Sequence, residues 1–268
     1  MYKYRLALLG FLLISTTPAL MTADSFSIST FATGSTIGAT QPDSVSFGDN
    51  SLWIAYTNGA ASDGSSGSST VVQYSLSGSV TNKWTITGNV DGLRVALDGT
   101  VWALQNNDAN ATTTLINPNT KAVTSLTWGS SYTANNNAVG RGFDDIAFRG
   151  SQTFLSETNP ATGNDPTVLK LSSPVSSPLQ VSPIVNSAIN GTNMATGKQG
   201  STTITDPDSL ILAPNGDLVL TGEADQTMVW IHNPGAANQS ESYLPLQGVN
   251  GNPDDSVFPT SSAGTFYV

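Results

Sequence analysis

An all-β fold follows from three features of this 268-residue chain. No segment longer than a turn or two spaces its apolar residues helically; they alternate in bursts of four to eight. Ser, Thr, Asn and Gly are abundant, and only 10% of residues are charged. One pattern also recurs five times: an aspartate, a short apolar run, a turn and a second apolar run. Repeats roughly 45–65 residues apart, each opening with a hairpin, predict the blades of a β-propeller.

The first copy is Asp43-Ser44-Val45-Ser46-Phe47, a turn at 48–50, then Leu52-Trp53-Ile54-Ala55-Tyr56. The second is Asp91 to Leu97, Asp98-Gly99, then Thr100 to Leu104. The third runs Asp144-Asp145-Ile146-Ala147-Phe148 and resumes at Thr153-Phe154-Leu155. The fourth is Pro207 to Leu212, Pro214-Asn215-Gly216, then Asp217 to Leu220. The fifth begins Pro253-Asp254-Asp255-Ser256-Val257-Phe258 and reaches Thr265 to Val268.

A third run follows in four copies: Val71 to Leu76, Thr113 to Ile116, Thr167 to Leu171 and Met228 to His232. A fourth, weaker run closes each: Lys83 to Ile86, Ser125 to Trp128, Val181 to Val185 and Ser242 to Leu244. Four antiparallel strands per repeat is a propeller blade. Ser25 to Phe31 alternates cleanly and reads as an outer strand donated to the last blade. Five repeats are visible, and the expectation is a six-bladed type with an incomplete last part. Residues 172–205 read as an irregular outer strand followed by a long loop, and residues 60–69 as a flexible Gly/Ser loop between strands b and c.

Residues 1–23 read as a signal peptide: Lys3 and Arg5, an apolar stretch from Leu6 to Ile14, then small residues at Ala19 and Ala23. No run reaches the roughly 20 residues that a membrane span needs. The mature domain is then 24–268, secreted or periplasmic. It has no cysteine, which excludes disulfides, a thiolate nucleophile and cysteine metal sites. Nineteen acidic against seven remaining basic side chains leave a net charge of −12. Nucleic acid is excluded as a partner by that balance, because counterion release needs clustered Lys and Arg. Cations suit such a surface; a small molecule or protein is the expected partner.

Successive strands of an up-and-down blade reverse direction, so the start of a, the end of b and the start of c share one face. Strand a is innermost. Asp43, Asp91, Asp144, Asp208 and Asp255 are therefore expected around one mouth of the central channel. Asp108, Glu157, Glu223 and Asp225 join that face from the loops. Converging oxygens would suit a hard divalent cation such as calcium, which takes six to eight. The competing expectation is that each aspartate caps its own turn through backbone amides. Trp53 and Trp102 occupy matching places in strand b and read as packing between blades. His232, the only histidine, lies in a third strand away from the channel and reads as a surface side chain. A Ser–His–Asp triad would have to use it, and no G-x-S-x-G is present.

Pro207-Asp208-Ser209-Leu210 with Asn215-Gly216-Asp217-Leu218-Val219 resembles the P-D-G-hydrophobic, x-G-x-L-W-V pattern of NHL-type blades. Asp91-Gly92-Leu93 with Asp98-Gly99-Thr100-Val101-Trp102 resembles it too. The gluconolactonase and senescence-marker-protein propellers share this pattern. The resemblance implies a divalent metal in the channel, held by acids or amides at the starts of inner strands. Asp208 falls on the family's P-D-G aspartate, Asp144 where the family has an S-N-G asparagine, and Asp43 at its glutamate, without the surrounding E-x-P-x-W. In that case the metal would polarise a ring-ester carbonyl, with Asp91 or Glu157 activating water. Two functions are thus carried forward: a ligand- or partner-binding scaffold, and a metal-dependent lactone or ester hydrolase. A streptogramin-lyase activity needs a histidine near the channel, which the position of His232 does not offer.

Overall fold

The computed structural model describes residues 29–129, 142–172, 175–246, 252–254 and 256. Apart from a 3-10 turn at Gly34–Ile37, the regular elements described are strands. The first sheet contains β1 (Pro42–Gly48), β2 (Ser51–Tyr56), β3 (Ser68–Ser75) and β4 (Val80–Thr87). The second contains β5 (Val90–Val95), β6 (Val101–Gln105), β7 (Thr112–Ile116) and β8 (Val123–Thr127). The third contains β9 (Phe143–Arg149), β10 (Gln152–Glu157), β11 (Pro166–Leu171) and β12 (Val181–Asn186). Each is a meander in chain order, antiparallel throughout. The fourth repeat supplies β15 (Pro207–Leu212), β16 (Leu218–Gly222), β17 (Thr227–His232) and β18 (Ser240–Pro245) in the same manner.

The innermost strands lie side by side, β1 beside β5, β5 beside β9, and β9 beside β15. Sheets stacked this way must bury both faces, and the period-two alternation divides each strand between two neighbours. Trp53 and Ala55 pack with Val71 and Trp84 against Val90, Leu93, Val101 and Ala103 of the second sheet. The intervening Ile54 and Tyr56 turn the other way. Trp102 and Leu104 face Phe143, Ile146 and Leu155 of the third sheet. Ala147, Phe154 and Val168 then face Leu210, Leu218 and Val229 of the fourth. Trp53 and Trp102 are thus packing residues at equivalent inter-sheet positions, with Trp53 stacked on Trp84 at 5.4 Å.

The stretch after β12 is not the long loop its polarity indicated. It forms a hairpin, β13 (Ala188–Asn193) and β14 (Lys198–Thr203), joined to β18 by a short parallel pairing of Thr192 with Ser242 and Asn193 with Tyr243. The fourth sheet therefore has six strands, in the order β14-β13-β18-β17-β16-β15. Two buried side chains, Ile189 and Ile204, seat the hairpin in the core between the third and fourth sheets. A Cβ at Gly191 would lie 2.3 Å from the Glu241 carbonyl oxygen, so this close approach requires glycine. The proposed N-terminal strand falls mostly outside the described residues, and Ser29 to Phe31 carry no strand. The Gly/Ser loop is tied down: Asn110 Nδ2 donates to the Asp63 carbonyl at 2.9 Å, and the Asp108 amide to that of Ser62 at 3.1 Å.

Candidate functional site: an acidic cavity at the ends of the inner strands

Each of the four described inner strands carries one extra residue near its start. Between Pro42 and Val45 the partner strand advances only from Tyr56 to Ile54, and the same shift recurs at Val90/Leu93, at Phe143/Ile146 and at Pro207/Leu210. The bulged pairs are Asp43-Ser44, Asp91-Gly92, Asp144-Asp145 and Asp208-Ser209. A bulge breaks the ladder and re-aims the side chains it carries. Here it lets the first residue of each pair turn inward while the second reaches sideways.

The sideways contacts stitch neighbouring inner strands together. Ser44 Oγ accepts the Leu93 amide at 2.9 Å, Asp145 Oδ2 accepts the Leu210 amide at 2.9 Å, and Ser209 Oγ accepts the Ser256 amide at 3.3 Å. Gly92 is the exception. A Cβ there would lie 2.4 Å from the Asp144 carbonyl oxygen, so β5 and β9 meet backbone to side of backbone. Arg94 makes that connection instead, donating from Nε to the Ile146 carbonyl at 3.0 Å and pairing with Asp145.

The inward aspartates share a cavity of about 140 Å³ lined by Pro42, Asp43, Ser44, Asp91, Asp144, Asp145, Asp208, Ser209 and Asp254. Four of the five expected ring aspartates are therefore together. The fifth, Asp255, lies outside the described residues, and its neighbour Asp254 lines the cavity. Ser256 stands to Asp254 as Leu93 stands to Asp91 and Leu210 to Asp208, each bonded to the preceding repeat. The Pro-Asp pair shared by Pro207-Asp208 and Pro253-Asp254 was the signal for this equivalence. Asp145 is the other lining carboxylate that sequence reasoning passed over.

Crowded carboxylates in a confined space hold protons. Burial first, then the charges of Asp144 and Asp43, raise the Asp91 carboxyl well above the usual range, and Asp91 is hydrogen-bonded to Asp144. Asp144 is raised as well. Burial is the main cause and the Asp208 charge adds to it, against hydrogen bonds from Asn107, Thr158 and Asp91 that favour the ionised form. The Asn107 amide donates to Asp144 Oδ1 at 3.1 Å. Asp208 is pushed up to about 9, by burial and then by its hydrogen bond to Asp254. Its Oδ2 is buried and has no hydrogen-bond partner among the described residues.

The remaining face residues are elsewhere. Asp108 is exposed and accepts a hydrogen bond from Ser62. Asp225 caps a turn, taking the Thr205 amide at 2.6 Å and the Asp206 amide at 3.3 Å. Glu223 is half-buried after β16, its amide bonded to the Asp206 carbonyl at 2.9 Å. Glu157 is buried at the end of β10, opposite Phe143. Turn-capping thus describes Asp225, whereas Asp91, Asp144 and Asp208 interact with other cavity side chains.

The residues fit a hard cation in their chemistry: several carboxylates, one buried oxygen without a partner, and a charge deficit that protons make up. Among the described residues no three acidic or histidine side chains already converge at metal–ligand distance. A cation held there would have to draw the carboxylates together.

No protein-family model and no curated protein matches the chain. Among solved structures it is similar to a putative gluconolactonase, with 10% identity and a TM-score of 0.52, over 82% of this chain and 68% of that one. A periplasmic gluconolactonase of Pseudomonas aeruginosa gives 14% identity and a TM-score of 0.48, over 83% and 59% of the two chains. A streptogramin B lyase gives 13% and 0.44, over 78% and 56%. The chain spans less than two thirds of the length of these last two. At such identities the likeness is one of fold. The chain is similar in fold to the gluconolactonase-like β-propellers.

Proposed function

We propose that the protein is an exported β-propeller, mature from residue 24, that binds a small molecule or protein on its loop-bearing face. In this reading the acidic cavity is the centre of that face and holds a divalent cation of the calcium class. The observation that carries it is the gathering of six aspartates, from five successive repeats, around about 140 Å³. Asp43, Asp144 and Asp208 would hold the ion, with Asp91 and Asp254 adjoining. Asn107 orients Asp144, and the bulges keep the carboxylates aimed inward. A bound ion supplies positive charge and open coordination for a ligand oxygen. Calorimetric titration with calcium should give saturable binding that Asp144→Asn abolishes. A folded protein that takes up no calcium, zinc or manganese would refute the reading.

A second reading, metal-dependent opening of a lactone or ester, is favoured by Asp91. Burial and the neighbouring Asp144 and Asp43 charges raise its carboxyl well above the usual range, which favours a protonated carboxyl placed to exchange a proton with a reacting group in the cavity. A cation in the cavity would polarise the ester carbonyl. Hydrolysis of an aldonolactone that needs calcium and is lost in Asp91→Asn, with calcium binding retained, would establish this reading. Calcium binding without any turnover would leave the scaffold.

A further inference from the structure

We propose that Asp217, His232 and Ser242 form a second site, a Ser–His–Asp centre that hydrolyses small carboxylic esters. Asp217 directly precedes β16, His232 ends β17 and Ser242 lies in β18. Leu218 pairs with Ile231, so one step further sets Asp217 across from His232; Trp230 pairs with Ser242 and His232 with Ser240. The three side chains therefore share one face of the fourth sheet. His232 Nδ1 is 2.7 Å from Asp217 Oδ2, and Nε2 is 3.0 Å from Ser242 Oγ. Asn215 Nδ2 donates to the same Asp217 oxygen at 2.7 Å while its Oδ1 accepts the Asp217 amide at 3.1 Å, which fixes the acid in its turn.

Such a centre is recognised by geometry and roles, in any chain order. With Nδ1–H donated to Asp217, Nε2 is the acceptor that takes the Ser242 hydroxyl proton. Ser242 is 7% exposed and the His232 side chain 38%, so the nucleophile is sheltered while the ring opens to solvent. Trp230 and Met228 on the same face form an apolar wall for an acyl group. On the other side β13 sets Thr192 opposite Ser242, and Gln199 Nε2 donates to Thr192 Oγ1 at 2.8 Å. The Thr192 hydroxyl, fixed by Gln199, is thus on the strand next to the nucleophile as a donor for the charge that develops on the carbonyl oxygen.

In the first step Ser242 Oγ bonds to the ester carbonyl carbon as its proton passes to His232 Nε2. The C–O bond to the alcohol then breaks and the alcohol departs with that proton. Water attacks the acyl-serine, gives a proton to Nε2, and the carboxylic acid leaves as Ser242 Oγ regains a proton. No cation takes part, and the site shares no residue with the acidic cavity. The a–b turn carrying Asp217 lies at the opposite end of β15 from Asp208.

The test is labelling of the full mature chain by a fluorophosphonate probe in excess chelator, with the adduct located by peptide mapping. The proposal predicts one adduct per chain, on Ser242. Loss of the general base in His232→Gln should slow labelling by about 100-fold or more, in protein whose near-ultraviolet dichroism is unchanged. An unlabelled folded wild type, an adduct on another residue, or equal labelling of His232→Gln would each overturn it. The wild-type map decides the matter even where Ser242→Ala fails to fold.

Discussion

Replacing Asp145 should loosen the inner strands more than any other single carboxylate change. Its side chain is buried, with 8% exposure, and serves three strands at once. Oδ1 accepts the Ile146 amide at 2.7 Å, and Oδ2 accepts the Leu210 amide of β15 at 2.9 Å and pairs with Arg94 of β5. In Asp145→Ala the Leu210 amide, fully buried, loses its acceptor, at a cost of about 1–3 kcal/mol. Arg94 loses its partner too, but it is 26% exposed and still donates to the Ile146 carbonyl, so that loss is nearer 1 kcal/mol. With the Ile146 amide included, the sum is about 3–5 kcal/mol. For a urea slope of about 3 kcal/mol/M, the midpoint should fall by about 1–1.7 M at unchanged slope. Asp145→Asn keeps the shape and one of the two acceptors but turns its NH2 towards the other donor, and should lose less than Asp145→Ala without matching the wild type. A midpoint shift below about 0.3 M for Asp145→Ala, or an equal loss for both variants, would refute this account of the stitching.

Three further outcomes follow from the same geometry. Asp91, Asp144 and Asp208 have folded-state pKa values raised above the unfolded value, so the native state holds more protons than the unfolded chain between about pH 4 and the folded values. Their contribution is full below pH 4 and is lost as pH rises, through about 9 for Asp208, at about 1.4 kcal/mol per pH unit for each proton held; urea midpoints should therefore fall from pH 5 to pH 8, and a flat or rising profile in chelator would contradict it. Gly92→Ala puts a methyl group 2.4 Å from the Asp144 carbonyl oxygen and 2.9 Å from Leu104, and should cost about 1–3 kcal/mol by urea unfolding, whereas Gly99→Ala meets no neighbour and is penalised only for its left-handed backbone. Trp53→Ala empties a fully buried position between the first two sheets and should cost about 3–5 kcal/mol; a melting point within 2 °C of wild type, against an expected fall of about 6 °C or more, would mean the sheets do not pack as described.

The sixteen strands of the four four-stranded repeats were legible because the middle strands of each sheet are largely buried, so the apolar bursts coincide with them, and the weaker outer runs of β4, β8 and β12, which are mostly exposed, follow from their place in the repeat. The β13–β14 hairpin was not. Only Ile189 and Ile204 anchor it, β14 is mostly exposed, and its Gly-, Ser- and Thr-rich sequence resembles a loop. Repetition placed Asp43, Asp91, Asp144 and Asp208 in one cavity, since strands that repeat in sequence repeat in position. Asp254, which also lines the cavity, shows the limit of that logic, because adjacent aspartates differ only in register, which composition does not mark. The bulges explain why Asp145, Ser44 and Ser209 look idle in sequence yet bridge the inner strands. His232 lies in β17, two strands from the inner strand β15, and its contacts with Asp217 and Ser242 depend on strand pairing across the sheet, which spacing along the chain does not reveal.

Thermal unfolding of residues 24–268, in excess calcium and again in chelator, tests the cation-binding cavity most directly. At about 100 times its dissociation constant, a ligand bound only by the native state adds about 2.7 kcal/mol, or about 5–10 °C for a domain of this size. The account predicts a cooperative transition raised by that amount, with the rise absent in Asp144→Asn. A cooperative transition at the same temperature in calcium, zinc, manganese and chelator would contradict it.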